Sequence, residues 1–342
     1  MTRLAHLAGA GAVFLLAAAI PATTVAVVPS EADALLAWKA SLIDAAALSS
    51  WTRATPVCDW YGVYCDKEGV KTLSLQGLGL SGGLDTLDTE AIPALTILDL
   101  KSNNLSGTIP ASISRLCSLE SLDLSYNTLS GSIPHQLCKL VSVSLLVLSN
   151  NQLSGELPNC WCNLKSLRVM SLSSNRLMGK LPDCWWNLKA LQLSDNFFSG
   201  EFPAAKASHN CPLNVLYLTR NAFVGAFPLL EGCDSLAVLD LSSNRFNNSI
   251  PPQLGDMHSL LDLRLYNNSL VDNIPHQLCR LLSMEVLDLS NNLLTGELPD
   301  CRCNFHAMLS MDLSNNRLTG KLPDCWWNLR DLKFMDLPNN SF

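Results

Sequence analysis

Charge is scarce in this chain. Only 15% of its 342 residues are Asp, Glu, Lys or Arg, and 30 acidic residues outnumber 23 basic ones. With a formal charge of −7 and no basic stripe, the sequence argues against a nucleic-acid partner, whose phosphates call for clustered lysine and arginine. Long apolar runs are missing too: beyond Ala26 nothing approaches the roughly 18 uninterrupted apolar residues of a membrane-spanning helix. The six histidines are scattered, with His6 near the start and His135 and His276 copies of one position. Serine is common, but mostly inside the recurring phrase L-S-x-N. No nucleophile, base and acid converge in the sequence, so no enzyme is expected.

What is present is a ladder. From Val70 onward the chain repeats L-x-x-L-x-L-x-x-N-x-L-x-G-x-I-P, as in Leu95-Leu98-Leu100-Asn103-Leu105-Gly107-Pro110 and again in Met308-Met311-Leu313-Asn316-Leu318-Gly320-Pro323. A sustained period of this length means one supersecondary unit stacked on its own copies. About twelve repeats begin, at Val70, Leu95, Leu119, Val143, Leu167, Leu188, Leu213, Leu236, Leu260, Met284, Met308 and Leu332. Each L-x-L reads as a short strand of a parallel sheet, leucines inward and the residues between them to solvent. The fold class expected is an α/β repeat: a curved solenoid, parallel sheet on the concave face, 3-10 turns and loops on the convex side. Ninth-position asparagines such as Asn103, Asn127, Asn175, Asn244 and Asn316 suit the inside of the turn, where an amide supplies both donors and acceptors to unpaired backbone.

The first 26 residues differ in kind. Arg3, an apolar run from Leu7 to Ile20 and small residues through Ala26 read as a secretory signal peptide. The mature chain is then expected in an oxidising, extracellular setting, which thirteen cysteines suit. Residues 30–69 read as an N-terminal cap. Ser30 and Asp33 suggest a capping box before a helix with Leu35, Leu36 and Trp38 on its apolar side. Next comes Cys58-Asp59-Trp60-Tyr61-Gly62-Val63-Tyr64-Cys65, a short disulfide loop able to hold that helix over the open end of the first repeat.

This C-x-W-x-G-V-x-C spacing, with the L-S-G-x-I-P extension of the repeats, resembles plant extracellular leucine-rich-repeat proteins over nearly the whole mature chain. The resemblance implies the ectodomain of a receptor-like protein or kinase that recognises a peptide, a partner receptor or a cell-wall or pathogen protein, in development or defence. It implies a secreted or apoplastic location, or attachment to the plasma membrane through a partner or a further C-terminal part. The Gly-rich loop, H-R-D and D-F-G phrases of a kinase are absent from these residues. The alternative is a secreted protein resembling the polygalacturonase inhibitors, which share the cap and repeat phrase but close with a cysteine cap. Ice binding, known among such proteins, calls for flat threonine-like arrays that the repeats lack. Leu337 and Phe342 belong to an unfinished repeat without such a closing cap, so a fragment of a longer chain is expected.

Two irregularities interrupt the period. The interval from Leu167 to Leu188 is three residues short when compared with the stretch around Cys325 and Leu332. The phrase IPHQLC at 133–138 recurs at 274–279, and LPDCWWNL at 181–188 recurs at 322–329 with the same offset, as a copied segment would.

The cysteines form a second ladder. Cys138 and Cys162 occupy one slot in adjacent repeats, as do Cys160 and Cys184, Cys279 and Cys303, and Cys301 and Cys325. Equivalent positions sit roughly 5 Å apart, within disulfide reach, so bridges are expected between those pairs on the convex side. Cys58–Cys65 in the cap and a possible Cys211–Cys233 pair leave Cys117 odd. The single-residue spacing of Cys160/Cys162 and Cys301/Cys303 does not suit zinc, and no metal or cofactor is expected.

Aspartates 99, 123, 240, 288, 312 and 336 form a column in the phrase L-D-L-S, read as an ordinary solvated strand face. The phrase breaks in the middle repeats, at Gln192, Asp195, Tyr217, Thr219, Arg220, Arg264 and Tyr266, with Asp240 as a charged neighbour. Tyrosine and arginine bury area while keeping polar reach, so these residues form the candidate ligand patch. Sequons at Asn104, Asn247, Asn267 and Asn339 permit glycosylation, with Asn267 and Asn339 beside a strand end.

Overall fold

A computed structural model describes residues 30–204, 211–228, 230–301, 305–324, 326 and 329–342. The signal segment therefore lies outside the described residues, as do Cys303 and Cys325. The cap begins with helix Glu31–Ser41, whose N-cap Ser30 accepts from the Asp33 N–H at 3.2 Å and donates to the Asp33 carboxylate at 2.8 Å. Its buried face carries Leu35 and Trp38, and the Trp38 indole donates to the Gly83 carbonyl of the first coil. Trp51 lies 6.2 Å from Trp38 and stacks on Trp60 at 5.2 Å, closing the apolar end of the solenoid with aromatic area. The Cys58–Cys65 bridge ties this corner, and Gly62 inside it has φ +75 with no room for a Cβ beside the Ser74 carbonyl.

Strand Val63–Asp66 pairs antiparallel with Gly69–Ser74, and from there a sheet of 13 strands continues in parallel register to Phe334–Asp336. The leucines between exposed positions, such as Leu98, Leu122, Leu146 and Leu216, are fully or almost fully buried. Each contributes roughly 1.5–3 kcal/mol against exposure. Return segments begin at proline and form 3-10 helices such as Ala111–Arg115, His135–Lys139, Asn159–Asn163, Pro252–Asp256 and His276–Arg280.

A second, eight-stranded parallel sheet runs beside the first, from Ser81–Gly82 to Arg245–Asn247, and a two-stranded piece pairs Thr295–Glu297 with Arg317–Thr319. The L-S-G phrase builds it. Its glycine takes positive φ in each coil, and where Asn248 and Asp272 replace it they hold the same conformation at φ 65 and 64.

From the second coil onward, each coil carries a rung of the asparagine ladder, while the first has Leu78 in that slot. Asn127 accepts from the Leu105 N–H at 2.9 Å and donates to the carbonyls of Leu100, Leu124 and Ser125. The three-residue deletion leaves it intact: Asn196 still accepts from Leu177 N–H and donates to Leu172, Leu193 and Ser194. Strand register across it is also unbroken, Met170 beside Leu191. The convex turn absorbs the loss, shrinking to Trp185–Asn187. In the next coils leucines of the second sheet become Phe198, Phe223 and Phe246, which stack at 6.4 and 6.2 Å as a spine.

The convex disulfides differ from the in-slot expectation. Cys138 pairs with Cys160, Cys162 with Cys184, and Cys279 with Cys301, each over 22 residues. The pairs Cys138–Cys162, Cys160–Cys184, Cys279–Cys303 and Cys301–Cys325 are thereby corrected. Translation along the solenoid makes equivalent side chains point the same way, so two in one slot do not face each other. A cysteine just after the inward residue of a turn instead meets the one just before it in the next turn. Cys211–Cys233 is also bridged, and Cys117 is free and exposed.

Candidate functional site

The middle coils put the candidate residues on four neighbouring strands, Ala190–Gln192, Val215–Tyr217, Val238–Asp240 and Asp262–Arg264. Parallel register lines up Gln192, Tyr217, Asp240 and Arg264 in one column. Thr219 and Tyr266 follow two residues after this column on their own chains, and Asp195 and Arg220 form its rim. The residues of the broken phrase are thus neighbours on one stretch of the sheet.

Its members are not equally available. Ser171 Oγ donates to Gln192 Oε1 at 2.8 Å, and the Ser149 hydroxyl lies 2.6 Å from Ser171 Oγ. With the Ser171 proton committed, Ser149 is the donor, and the Gln192 amide is left offering two N–H donors. Tyr217 and Tyr266 are half-buried, rings set in the surface. Thr219 Oγ1 donates to Ser242 Oγ at 3.4 Å. Arg220 meets Asp195 at 3.3 Å, an exposed pair. Both have positive φ, as does the same position in coil after coil, including Ser102, Tyr126, Ser174 and Asn291, so the fold imposes it.

Asp240 needs correction as a presented charge. It is 7% exposed, and its carboxylate accepts from the Ser242 N–H at 3.0 Å and from the Ser242 hydroxyl. Burial raises its pKa above the usual carboxylate value, against the lowering effect of Ser242. The same turn recurs at Asp123 with Ser125, Asp288 with Ser290 and Asp312 with Ser314, so the L-D-L-S column is occupied with its own backbone. Burial likewise raises Asp288 and Asp99.

The acid that engages Arg264 is Asp262, which the broken phrase did not single out. Two residues apart on one strand they share a face, and Arg264 donates from Nε and Nη2 at 2.9 and 3.0 Å. This pairing raises the Arg264 pKa further. The spacing D-x-R within a strand was the available signal. Asn104, Asn247, Asn267 and Asn339 are all exposed, and Asn267 borders the patch next to Tyr266. Cys160 and Cys162 are both in disulfides, which removes the thiolates a metal would need. Among the described residues no helix is long and apolar enough to cross a membrane.

A stack of short parallel strands, convex 3-10 turns, an asparagine ladder and a tryptophan-rich disulfide cap define a leucine-rich-repeat solenoid. Residues 28–66 match the leucine rich repeat N-terminal domain, and residues 93–153, 166–188, 235–257, 283–305 and 308–329 match leucine rich repeat families. Together these span more than half the chain, which belongs to the leucine-rich-repeat family and is similar to plant receptor ectodomains. It is 41% identical over 93 residues to the LRR receptor-like serine/threonine-protein kinase RGI3 of Arabidopsis thaliana, 26% of this chain and 8% of that protein. The solved ectodomain of the Arabidopsis receptor kinase HAESA, in complex with an IDA peptide hormone, matches with TM-score 0.80 and 33% identity, over 90% of this chain and 53% of that one. A plant ice-binding protein matches with TM-score 0.60 and 27% identity, over 85% and 88%. The chain spans 8–14% of several curated receptor kinases it resembles and about half of the HAESA ectodomain.

Proposed function

We propose that this chain is an extracellular recognition module, a receptor-like ectodomain segment in plant signalling or defence. In this reading its concave middle strands bind a peptide or a partner ectodomain, and it binds without catalysing. The observation that carries it is the presentation of Gln192, Tyr217 and Arg264 in one column, flanking the buried Asp240 and with Tyr266 beside it, on neighbouring strands of a rigid sheet. The ligand of the HAESA ectodomain, a peptide hormone, supports a peptide here. The experiment is calorimetry of the secreted chain against a panel of plant signalling peptides and recombinant receptor ectodomains. Alanine at Tyr217, Arg264 and Tyr266 together should abolish the binding found while the circular dichroism spectrum stays unchanged. Undiminished binding rejects the patch.

Inhibition of fungal polygalacturonase by the purified chain would favour the inhibitor alternative instead. Ice binding is disfavoured by the outer face of the second sheet. Its register pairs read Ser106–Thr128, Ser130–Gln152, Ser154–Arg176, Met178–Phe197, Ser199–Ala222 and Val224–Arg245, an array of unmatched sizes and charges.

A further inference from the structure

One strand position shows an apolar stripe unrelated to the tyrosines and arginines. Leu145, Val169, Ala190, Val215 and Val238 lie in register on five successive strands, all half-buried. Val147 widens the stripe at its first strand. Immediately before Val169 and Ala190 come Arg168 and Lys189, both exposed, with the Lys189 N–H donating to the Arg168 carbonyl at 2.7 Å. The two cations are direct neighbours across the sheet.

Like charges set side by side on adjacent strands oppose each other. On the face that carries the patch, the other charges of the middle coils are matched: Asp195 with Arg220, Asp262 with Arg264, while Asp240 is buried. Among the described residues Arg168 and Lys189 form no ion pair. Arg168 only rests one nitrogen, Nη1, on the carbonyls of Lys165 and Leu167, both at 3.0 Å. That contact steadies its guanidinium and leaves the other donors open. The same face is acidic on either side, with Asp99, Glu120 and Asp123 in the N-terminal coils and Glu285, Asp288, Asp312 and Asp336 in the C-terminal ones. In a chain of net charge −7, an unmatched cation pair beside an apolar stripe is a local inversion. An anionic ligand would be drawn to it and repelled from the acidic flanks.

We propose that Arg168 and Lys189 bind a carboxylate of an extended peptide whose alternate aliphatic side chains lie along the stripe from Leu145 to Val238. The lengths agree: five strands about 4.8 Å apart span about 19 Å, close to six residues of extended chain. The proposal rests on the concave reading above and specifies its ligand as an acidic, aliphatic peptide. The carboxylate is that of an acidic side chain or of the peptide's own C-terminus.

The probe is a phage-displayed library of random linear peptides about twelve residues long, selected against the intact chain at low salt. The expected pool is rich in Asp or Glu beside alternating aliphatic residues. Synthetic copies of the enriched peptides should lose about tenfold affinity or more on Arg168→Glu/Lys189→Glu, and part of that on the neutral Arg168→Gln/Lys189→Gln variant. Both variants change exposed side chains, and unchanged thermal midpoints serve as the folding control. Amidating the peptide C-terminus and replacing its Asp or Glu by Asn or Gln distinguish the two carboxylate sources. A basic or neutral pool, no pool, or undiminished binding to the Glu variant overturns the proposal. Peptides sensitive to alanine at Tyr217 and Arg264, but not to these two variants, sink the anion site and spare the concave reading. Peptides indifferent to both sets sink both.

Discussion

Cys138 is bonded to Cys160 across neighbouring convex turns, at a Cα separation of 5.8 Å and 22 residues apart. The same separation spans Cys162–Cys184 and Cys279–Cys301, so the rule belongs to the stacking geometry. In the sequence it also separates Cys303 from Cys325, outside the described residues, and predicts their bridge. Non-reducing peptide mapping should recover all four convex bridges with this diagonal connectivity. Cys162→Ser together with Cys184→Ser, opening one loop of this size, should cost about 3 kcal/mol in chemical denaturation. Recovery of Cys138 linked to Cys162 would refute the facing argument.

The asparagine ladder makes a sharper prediction because each rung serves four backbone groups. Asn196→Ala strands the Leu177 N–H and takes a donor from the carbonyls of Leu172, Leu193 and Ser194 inside a buried turn. A loss of about 2–4 kcal/mol is expected. Asn104, exposed and with its amide 3.5 Å from the Ser81 hydroxyl, should cost less than about 0.5 kcal/mol when changed to alanine. Equal effects at the two positions in urea titrations would reject the structural role of the ladder.

The solenoid, the cap and the ladder are legible in the sequence because each depends on residues spaced along one coil. What escapes it depends on direction between coils. Disulfide pairing needs the facing of side chains across a turn, which counting slots does not supply. The second sheet hides in L-S-G, whose serine and glycine carry no strand-like alternation. Asp240 and Asp312 occupy the same slot, yet Asp240 is flanked in register by Tyr217 and Arg264, and Asp312 by Asp288 and Asp336. Large neighbours cover the first and leave the second half-exposed. The cations Arg168 and Lys189 are 21 residues apart in sequence, and only the shortened repeat makes that spacing a lateral contact.

The buried tryptophans separate into two kinds. Trp51 donates its indole N–H to the Tyr61 carbonyl at 2.9 Å, whereas Trp161 and Trp185, 4% and 2% exposed, have no acceptor for theirs. The latter two line one small cavity of about 50 Å³ beneath the convex turns. Phenylalanine removes the indole N–H and keeps a large ring. Trp51→Phe should therefore lower stability by about 1–2 kcal/mol, while Trp161→Phe should leave it unchanged or raise it, as read by thermal unfolding. A larger loss at Trp161 than at Trp51 would show that shape, not the orphaned donor, governs the site.

Asp240 provides a pH test with a definite sign. Its folded pKa is raised, chiefly by burial, so the native state holds its proton more tightly than the unfolded chain does. This stability is fully present below the ordinary carboxylate pKa of about 3.9 and is lost as pH rises through the raised value. Asp240→Asn keeps the shape and an acceptor for Ser242 without the buried charge. Thermal midpoints should show the variant more stable than the parent near pH 7, with the gain fading as the parent's Asp240 becomes protonated in acid. A gain that grows toward low pH, or a loss at neutral pH, would mean that Ser242 and Arg264 favour the ionised form more than burial opposes it.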